Sequence, residues 1–165
     1  MVTAYLGLGS NLGDREANIN KALVELVRSG GCSLTKVSSL YATKPVGIEE
    51  QPDFLNIAVE IETELAPRQL LGMLKEVERK VGREKTVKWG PRVIDIDILL
   101  YGDLHVADGD IEIPHPEMSQ RAFVLTPLAE IAPSVKHPLL LQTVRQMSEA
   151  IGSEGVSKAE SFRSS

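Results

Sequence analysis

The segment Trp89–Gly102, WGPRVIDIDILLYG, constrains the fold of this chain more than any other stretch. Its β-branched and apolar residues, from Val93 to Leu100, are typical of a strand buried in a sheet. Two carboxylates, Asp95 and Asp97, interrupt that apolar run. Because side chains alternate between the two faces of a strand, both carboxylates lie on one face, with Cα atoms roughly 6.5–7 Å apart.

The two neighbouring carboxylates predict a bound cation. Two anions at this separation repel each other, and burying them unpaired is costly. Mg²⁺, which takes oxygen ligands, is the natural candidate. Arg92 supplies a guanidinium suited to phosphate, and the rigid Gly90-Pro91 turn directs Trp89 and Arg92 to the same place. Metal, cation and aromatic ring within a few residues indicate a site for nucleotide phosphates.

A simpler interpretation of the D-x-D pair is the solvated face of an edge strand, and for an isolated pair it would be preferred. The run around Asp95 and Asp97 is too apolar for an exposed strand. The residues just before it have no evident structural use. These two observations favour the metal site.

Composition limits the classes of function. The 165 residues predict one domain over 1–151, followed by a flexible tail over 152–165. A content of 42% hydrophobic and 25% charged residues is typical of a globular protein. The net charge of −5 argues against a general nucleic-acid binder, which needs a basic face. Local arginines and a metal can still hold a small anionic ligand.

Cysteine usage and hydropathy predict a cytoplasmic location. Cys32 is the only cysteine, which excludes an internal disulfide and suits a reducing compartment. No stretch approaches the roughly 20 apolar residues of a membrane span. The chain starts directly with a strand pattern, so we expect neither a charged leader nor membrane association.

The order of elements predicts an α+β fold. Strand patterns cover 2–8, 32–42 and 55–65, the last with one solvated face, and a hairpin is expected through 106 and 111–113. Helical patterns begin at Asp14 and Pro67, and a last helix is expected over 139–151. The glycine-rich turn after the first strand matches neither phosphate-loop pattern and is interpreted as a tight turn. The order β-α-β-β-α-β predicts a ferredoxin-like sandwich, with helices on one face of a mainly antiparallel sheet.

Three sequence blocks occur in order along the chain, QPDFLN at 51–56, GPRVIDIDIL at 90–99 and PHPEMSQRAFVLTPL at 114–128. Together they resemble the hydroxymethyl-dihydropterin pyrophosphokinase family of folate biosynthesis. The resemblance covers nearly the whole chain, in the right order. It implies transfer of diphosphate from ATP to a pterin alcohol, with release of AMP, by a protein that we expect to be monomeric.

The resemblance also implies roles for single residues. It implies that Asp95 and Asp97 ligate two Mg²⁺ ions that bridge the ATP phosphates, and that Arg83 and Arg92 are phosphate-contacting catalytic arginines. The implied ATP-binding positions are Lys75, Glu78, Lys85, Trp89, Ile98, His115 and Arg121. The implied pterin-binding positions are Thr43, Val46, Phe54, Asn56 and Phe123. The chain departs from the family pattern at Lys75, Asp110, Glu112 and Pro116, which concerns ATP affinity more than the reaction.

The residue types suit such chemistry. A flat polar heterocycle is well held between aromatic faces such as Phe54 and Phe123, with an amide such as Asn56 at its edge. The basic segment 83–92 is either a solvated loop or a flap that closes over phosphates. Two rival hypotheses remain at this point. One is a metal-dependent nuclease or polymerase-like transferase, and the other is a non-catalytic pterin- or nucleotide-binding module of the same fold.

Overall fold

The computed structural model describes residues 1–43, 53–82 and 93–159. Its strands are β1 Val2–Ser10, β2 Cys32–Val37, β3 Tyr41–Thr43, β4 Phe54–Thr63, β5 Asp95–Tyr101, β6 Val106–Asp108, β7 Ile111–Ile113 and β8 Val156–Lys158. Its helices are α1 Arg15–Arg28, α2 Pro67–Val81, α3 Ala122–Ile131 and α4 Val144–Ile151, and a 3₁₀ turn spans Met118–Gln120.

The main sheet has the strand order β5-β1-β4-β3-β8, and every neighbouring pair is antiparallel. Strand β2 also pairs with β4, beyond the part of β4 that β3 occupies. Strands β6 and β7 form the separate hairpin that the sequence predicts. The antiparallel α+β architecture is therefore confirmed.

Helices cover both faces of this sheet, so the prediction of helices on one face is wrong. On the first face, alternate residues of β1, β4 and β5 pack with α1 and α2. On the second, Tyr5, Ala58 and Leu100 pack with Leu125 and Leu128 of α3. We call this second face the α3 face. The expectation of a solvated face on β4 is wrong for the same reason, since Ala58 is fully buried.

The predicted second strand is interrupted at Ser38. The Ser38 N–H donates to the Ala58 carbonyl (2.9 Å), and the Ser38 hydroxyl accepts from the Ala58 N–H (2.9 Å). A side chain thus takes over one bond of the ladder, and the chain turns there into β3. Glu130 of α3 accepts hydrogen bonds from the Tyr41 hydroxyl (2.6 Å) and the Ser39 hydroxyl (3.0 Å), which fixes α3 over this corner.

Both predicted helix starts are observed. The Asp14 side chain caps α1 by accepting the Ala17 N–H (3.1 Å), and Pro67 occupies the first turn of α2. Val27, which the periodicity places on the apolar stripe of α1, is 53% exposed. No helix in the described parts of the chain is long and apolar enough to cross a membrane.

The C-terminal region differs from its prediction in two places. The last helix begins at Val144, after the cap residue Thr143, and the preceding 139–141 segment is exposed. Beyond it, Val156–Lys158 pairs with β3, although the sequence predicts a flexible tail from residue 152. That expectation is wrong for these three residues, and 160–165 lie outside the described ranges.

Candidate active site

The strand register places both carboxylates of β5 on the α3 face. Asp95 pairs with Gly9, and Gly9 pairs on its other side with Asn56. Two residue pairs further along the strands, Asp97 pairs with Gly7. Because paired residues of antiparallel strands project to the same face, these side chains share one surface. Asp95 is half-buried, and Asp97 is exposed.

Strand β5 forms one edge of the main sheet, which is the setting of the simpler D-x-D interpretation. The strand is nevertheless apolar because both of its faces are covered, with Ile96 and Leu99 buried on opposite sides. Its outer edge is also partly paired. The buried Glu78 of α2 accepts the Ile96 N–H (2.8 Å), and the His115 N–H donates to the Leu99 carbonyl (3.0 Å).

His115 lies in the electrostatic field of Asp97. Its Nδ1 accepts the Glu117 N–H (3.2 Å), so the orientation of the half-buried ring is fixed. Burial lowers the pKa of His115, and the opposing effect of Asp97 is smaller. We therefore expect a neutral imidazole at pH 7 beside the carboxylates.

Arg121 is the residue before α3 and pairs with Glu117 one turn earlier. Its Cζ atom lies 5.5 Å from the centre of the Phe123 ring, within cation–π range. The structure thus places a guanidinium, an aromatic ring and the His115 loop near the start of α3.

Three of the predicted pterin residues, Thr43, Phe54 and Asn56, occupy the strands on the other side of β1. Thr43 and Phe54 are paired, and Asn56 follows Phe54 on the same face. Asn56 and Thr43 are buried, and the Asn56 Nδ2 donates to the Thr43 Oγ1 (2.8 Å). Arg15 holds the start of β4 by donating from Nη1 to the Asp53 carbonyl (2.7 Å).

Three predicted ATP residues are not brought to the surface that carries the carboxylates. Ile98 is buried in the core on the opposite face of the sheet. Lys75 and Glu78 belong to α2, which packs on that opposite face, with Lys75 exposed and Glu78 buried. An ATP role for these residues stays a prediction. Five other predicted residues, Val46, Arg83, Lys85, Trp89 and Arg92, lie outside the described residues.

The donor set at Asp95 and Asp97 suits Mg²⁺ with a phosphate substrate. Within 1–43, 53–82 and 93–159, no group of three or more His, Cys, Asp or Glu side chains is arranged to hold a metal. Mg²⁺ typically binds through one or two carboxylates and completes its octahedral shell with phosphate oxygens and water. Two carboxylates on one partly open surface fit that pattern.

Sequence reasoning missed the end of β1. Gly9, Ser10 and Asn11 are all buried, although the turn around them is interpreted above as a simple tight turn. The Asn18 Nδ2 holds the turn by donating to the Ser10 hydroxyl (3.2 Å) and the Leu12 carbonyl (2.8 Å). The signal was the G-x-G spacing, which removes two successive side chains from one face of a strand.

Comparisons with known proteins identify the family of this chain. Residues 5–133 match the family described as 7,8-dihydro-6-hydroxymethylpterin-pyrophosphokinase (HPPK). The 2-amino-4-hydroxy-6-hydroxymethyldihydropteridine pyrophosphokinase of Bacillus subtilis is 47% identical over 133 residues, which are 81% of this chain and 80% of that protein. The enzyme of that name from Aquifex aeolicus is 44% identical over 146 residues, covering 88% and 90% of the two chains.

The fold is also that of a longer solved protein. The crystal structure of wild-type Plasmodium falciparum HPPK-DHPS superposes with a TM-score of 0.74 at 16% identity, over 95% of this chain. This chain spans 48% of that one. Because the identity is only 16%, the likeness concerns the fold alone. From the family match and the identity to full-length relatives, we conclude that this chain belongs to the 7,8-dihydro-6-hydroxymethylpterin-pyrophosphokinase family.

Proposed function

We propose that this chain transfers diphosphate from ATP to the hydroxymethyl group of 6-hydroxymethyl-7,8-dihydropterin, with Mg²⁺ held at Asp95 and Asp97. Family membership supports pyrophosphokinase activity in folate biosynthesis. The single observation that carries the proposal is the strand register, which puts Asp95 and Asp97 on one face and aligns Asp95, Gly9 and Asn56 in one row across three strands.

That row sets the distance between the two substrates. Neighbouring strands lie about 4.8 Å apart, so the backbones at Asp95 and Asn56 are separated by about 10 Å. A pterin ring beside Asn56 would direct its hydroxymethyl group across Gly9 toward the carboxylates.

When bound, Mg²⁺ would offset the charge of the ATP phosphates and help to align them for in-line displacement. In the proposed reaction, the pterin oxygen attacks the β-phosphorus, the bond from the β-phosphorus to the α,β-bridging oxygen breaks, and AMP leaves. Asp95 is level with Asn56, whereas Asp97 is level with Ala58. We therefore assign to Asp95 the acceptance of a hydrogen bond from the attacking hydroxyl, whose proton passes to solvent as the new bond to phosphorus forms.

On the ATP side, His115 and Arg121 are proposed to contact phosphate. The electrostatic influence of Asp97 and Arg121 on the His115 ring supports their proximity. A neutral imidazole can donate from Nε2, since Nδ1 is occupied by the Glu117 N–H. The catalytic roles of Arg83 and Arg92 are proposed from the sequence motif, together with closure of the segment that contains Lys85 and Trp89.

The test is an assay of AMP release with the dihydropterin alcohol, ATP and Mg²⁺. We expect AMP and pterin diphosphate in equal amounts from the unmodified protein, and loss of both in Asp97→Ala. Asp103→Ala is the matched control because Asp103 is an exposed aspartate in the turn after β5. Undiminished turnover in Asp97→Ala would overturn the metal assignment. Binding of pterin without any ATP consumption would instead support the non-catalytic module.

A further inference from the structure

We propose that Gly9 is a positioning residue for pterin recognition, because a side chain at this position would displace the amide of Asn56. The inference rests on the proposed function and adds a determinant to the pterin side of the site. Gly9 lies in the middle strand of the row, between Asp95 and Asn56. It is buried on the face where the substrate is proposed to lie.

The orientation of the Asn56 amide is fixed from one side. Its Nδ2 donates to the Thr43 Oγ1 over 2.8 Å, and both residues are buried. Its Oδ1 lies on the side of β1, where a Cβ atom added at Gly9 would be only 2.7 Å away. The Phe54 Cδ1 would lie 3.5 Å from the same added atom. One methyl group at Gly9 would therefore press on the Asn56 amide, whereas its distance to Phe54 is an ordinary contact.

The need for glycine at this position is steric and local. Gly9 is not among the described glycines with positive φ, so its backbone conformation suits any residue. An added Cβ at Gly7, two residues earlier on the same face, would meet only the flexible Leu99 side chain at 3.5 Å, an ordinary contact. A methyl group at Gly9 meets a buried amide that its bond to Thr43 prevents from rotating freely.

The position of the Asn56 oxygen determines which ligand group it can recognise. An amide oxygen accepts hydrogen bonds, so it is suited to an N–H donor on the edge of a flat heterocycle. A methyl group added at Gly9 would displace the amide, which would then lose its hydrogen bond either to Thr43 or to the ligand. ATP makes no use of this contact, so only pterin binding is expected to change.

The experiment measures steady-state kinetics of Gly9→Ala. We expect the KM for the dihydropterin to rise about tenfold, the effect of one hydrogen bond lost in a buried site. The kcat and the KM for ATP should stay within about twofold of the unmodified protein. Gly72→Ala is the control, since an added Cβ on this exposed α2 glycine meets nothing within 4 Å. An unchanged KM for the pterin would overturn the proposal.

A double-mutant cycle with Asn56→Ala separates positioning from general damage to the fold. Asn56→Ala removes the atom that the new methyl group would meet, so Gly9→Ala should cause no further loss of pterin affinity in that background. Fully additive losses would overturn the proposal. The double variant lacks the close contact, so it can still be compared with Asn56→Ala if Gly9→Ala alone folds poorly.

Pterin titration without ATP distinguishes this inference from the proposed function. Calorimetry with the pterin alone should show weaker binding to Gly9→Ala than to the unmodified protein. If the unmodified protein releases no AMP, the proposed function fails while this binding difference is still measured. If AMP is released but the variant binds the pterin normally, only the role of Gly9 fails.

Discussion

Strands β5, β1 and β4 place alternate residues on two opposite faces of the sheet, and these two faces differ in polarity. The face toward α1 and α2 is apolar along its length, as in Leu8, Ile57 and Ile96. The α3 face changes character along the strands, from an apolar half around Tyr5 and Leu100 to an end that carries Asn56, Gly9 and the carboxylates. The contrast suits the proposed function, in which one face supplies stability and the polar end of the other carries the proposed active site.

The largest expected effect is on the polar end of the α3 face. Asp95→Ala should lower kcat by about 10³-fold, because loss of a proposed metal ligand would remove several kcal/mol of transition-state stabilisation. Asp95 is half-buried, so we also expect a small change in the midpoint of urea unfolding. A normal kcat in Asp95→Ala would contradict the division between the faces, as would complete unfolding.

The reciprocal change is Ile57→Ala on the opposite face. Ile57 is 1% exposed, and truncation of such a side chain typically costs about 2–5 kcal/mol of unfolding free energy. We expect that loss in urea titrations, with a kcat close to normal for the protein that remains folded. The control is Asp97→Ala, whose exposed side chain should change stability by less than about 0.5 kcal/mol. A large fall in the kcat of fully folded Ile57→Ala would show that the two faces are coupled.

The sequence predicts the apolar face better than the α3 face, for a physical reason. Leu55, Ile57, Val59 and Ile61 alternate clearly, so the strand and its buried face could be identified. The intervening Ala58 and the glycines of β1 are small and give no clear hydrophobic period. Their burial depends on α3, a helix that arrives much later in the chain. The second layer therefore could not be recognised from strand patterns alone.

The candidate site, too, could be predicted only where the information is local in the sequence. That Asp95 and Asp97 share a face follows from the two-residue period of a strand, which is local information. That Gly9 separates Asp95 from Asn56 depends on the pairing register, which no single strand pattern specifies. The resemblance to a known family supplied Phe54 and Asn56 as pterin positions, but it did not indicate Gly9.

Glu78 of α2 provides a smaller test, at the outer edge of β5. Glu78 is 5% exposed, and its carboxylate accepts the N–H of Ile96, the residue between Asp95 and Asp97. Glu78→Ala should cost about 1–3 kcal/mol, because it leaves a buried N–H without this acceptor. Glu78→Gln retains an amide oxygen for the same bond and should be milder in urea titrations. Equal losses for both would show that the charge of Glu78 matters more than the bond.

The smallest expected effect is a pH dependence of stability on the α3 side. His137 is buried, and its Nδ1 accepts the backbone N–H groups of Leu139 (3.2 Å) and Leu140 (3.1 Å). Burial lowers the pKa of His137 from its ordinary value of 6.5. The unfolded chain therefore binds this proton at a higher pH than the folded chain does. Stability should be complete above about pH 6.5 and should fall as the pH drops through the lower pKa of the folded state.

His137→Asn isolates that contribution from the rest of the molecule. Asparagine keeps an oxygen that can accept from the same two N–H groups, yet it does not titrate. We expect the variant to match the unmodified protein at pH 7.5 and to lose less stability on acidification, by at most about 1.4 kcal/mol per pH unit. His105→Asn, at an exposed position, is the control. An unchanged slope of stability against pH in His137→Asn would assign the acid sensitivity to other groups. His115, beside the carboxylates, is then the first to test, because burial lowers its pKa as well.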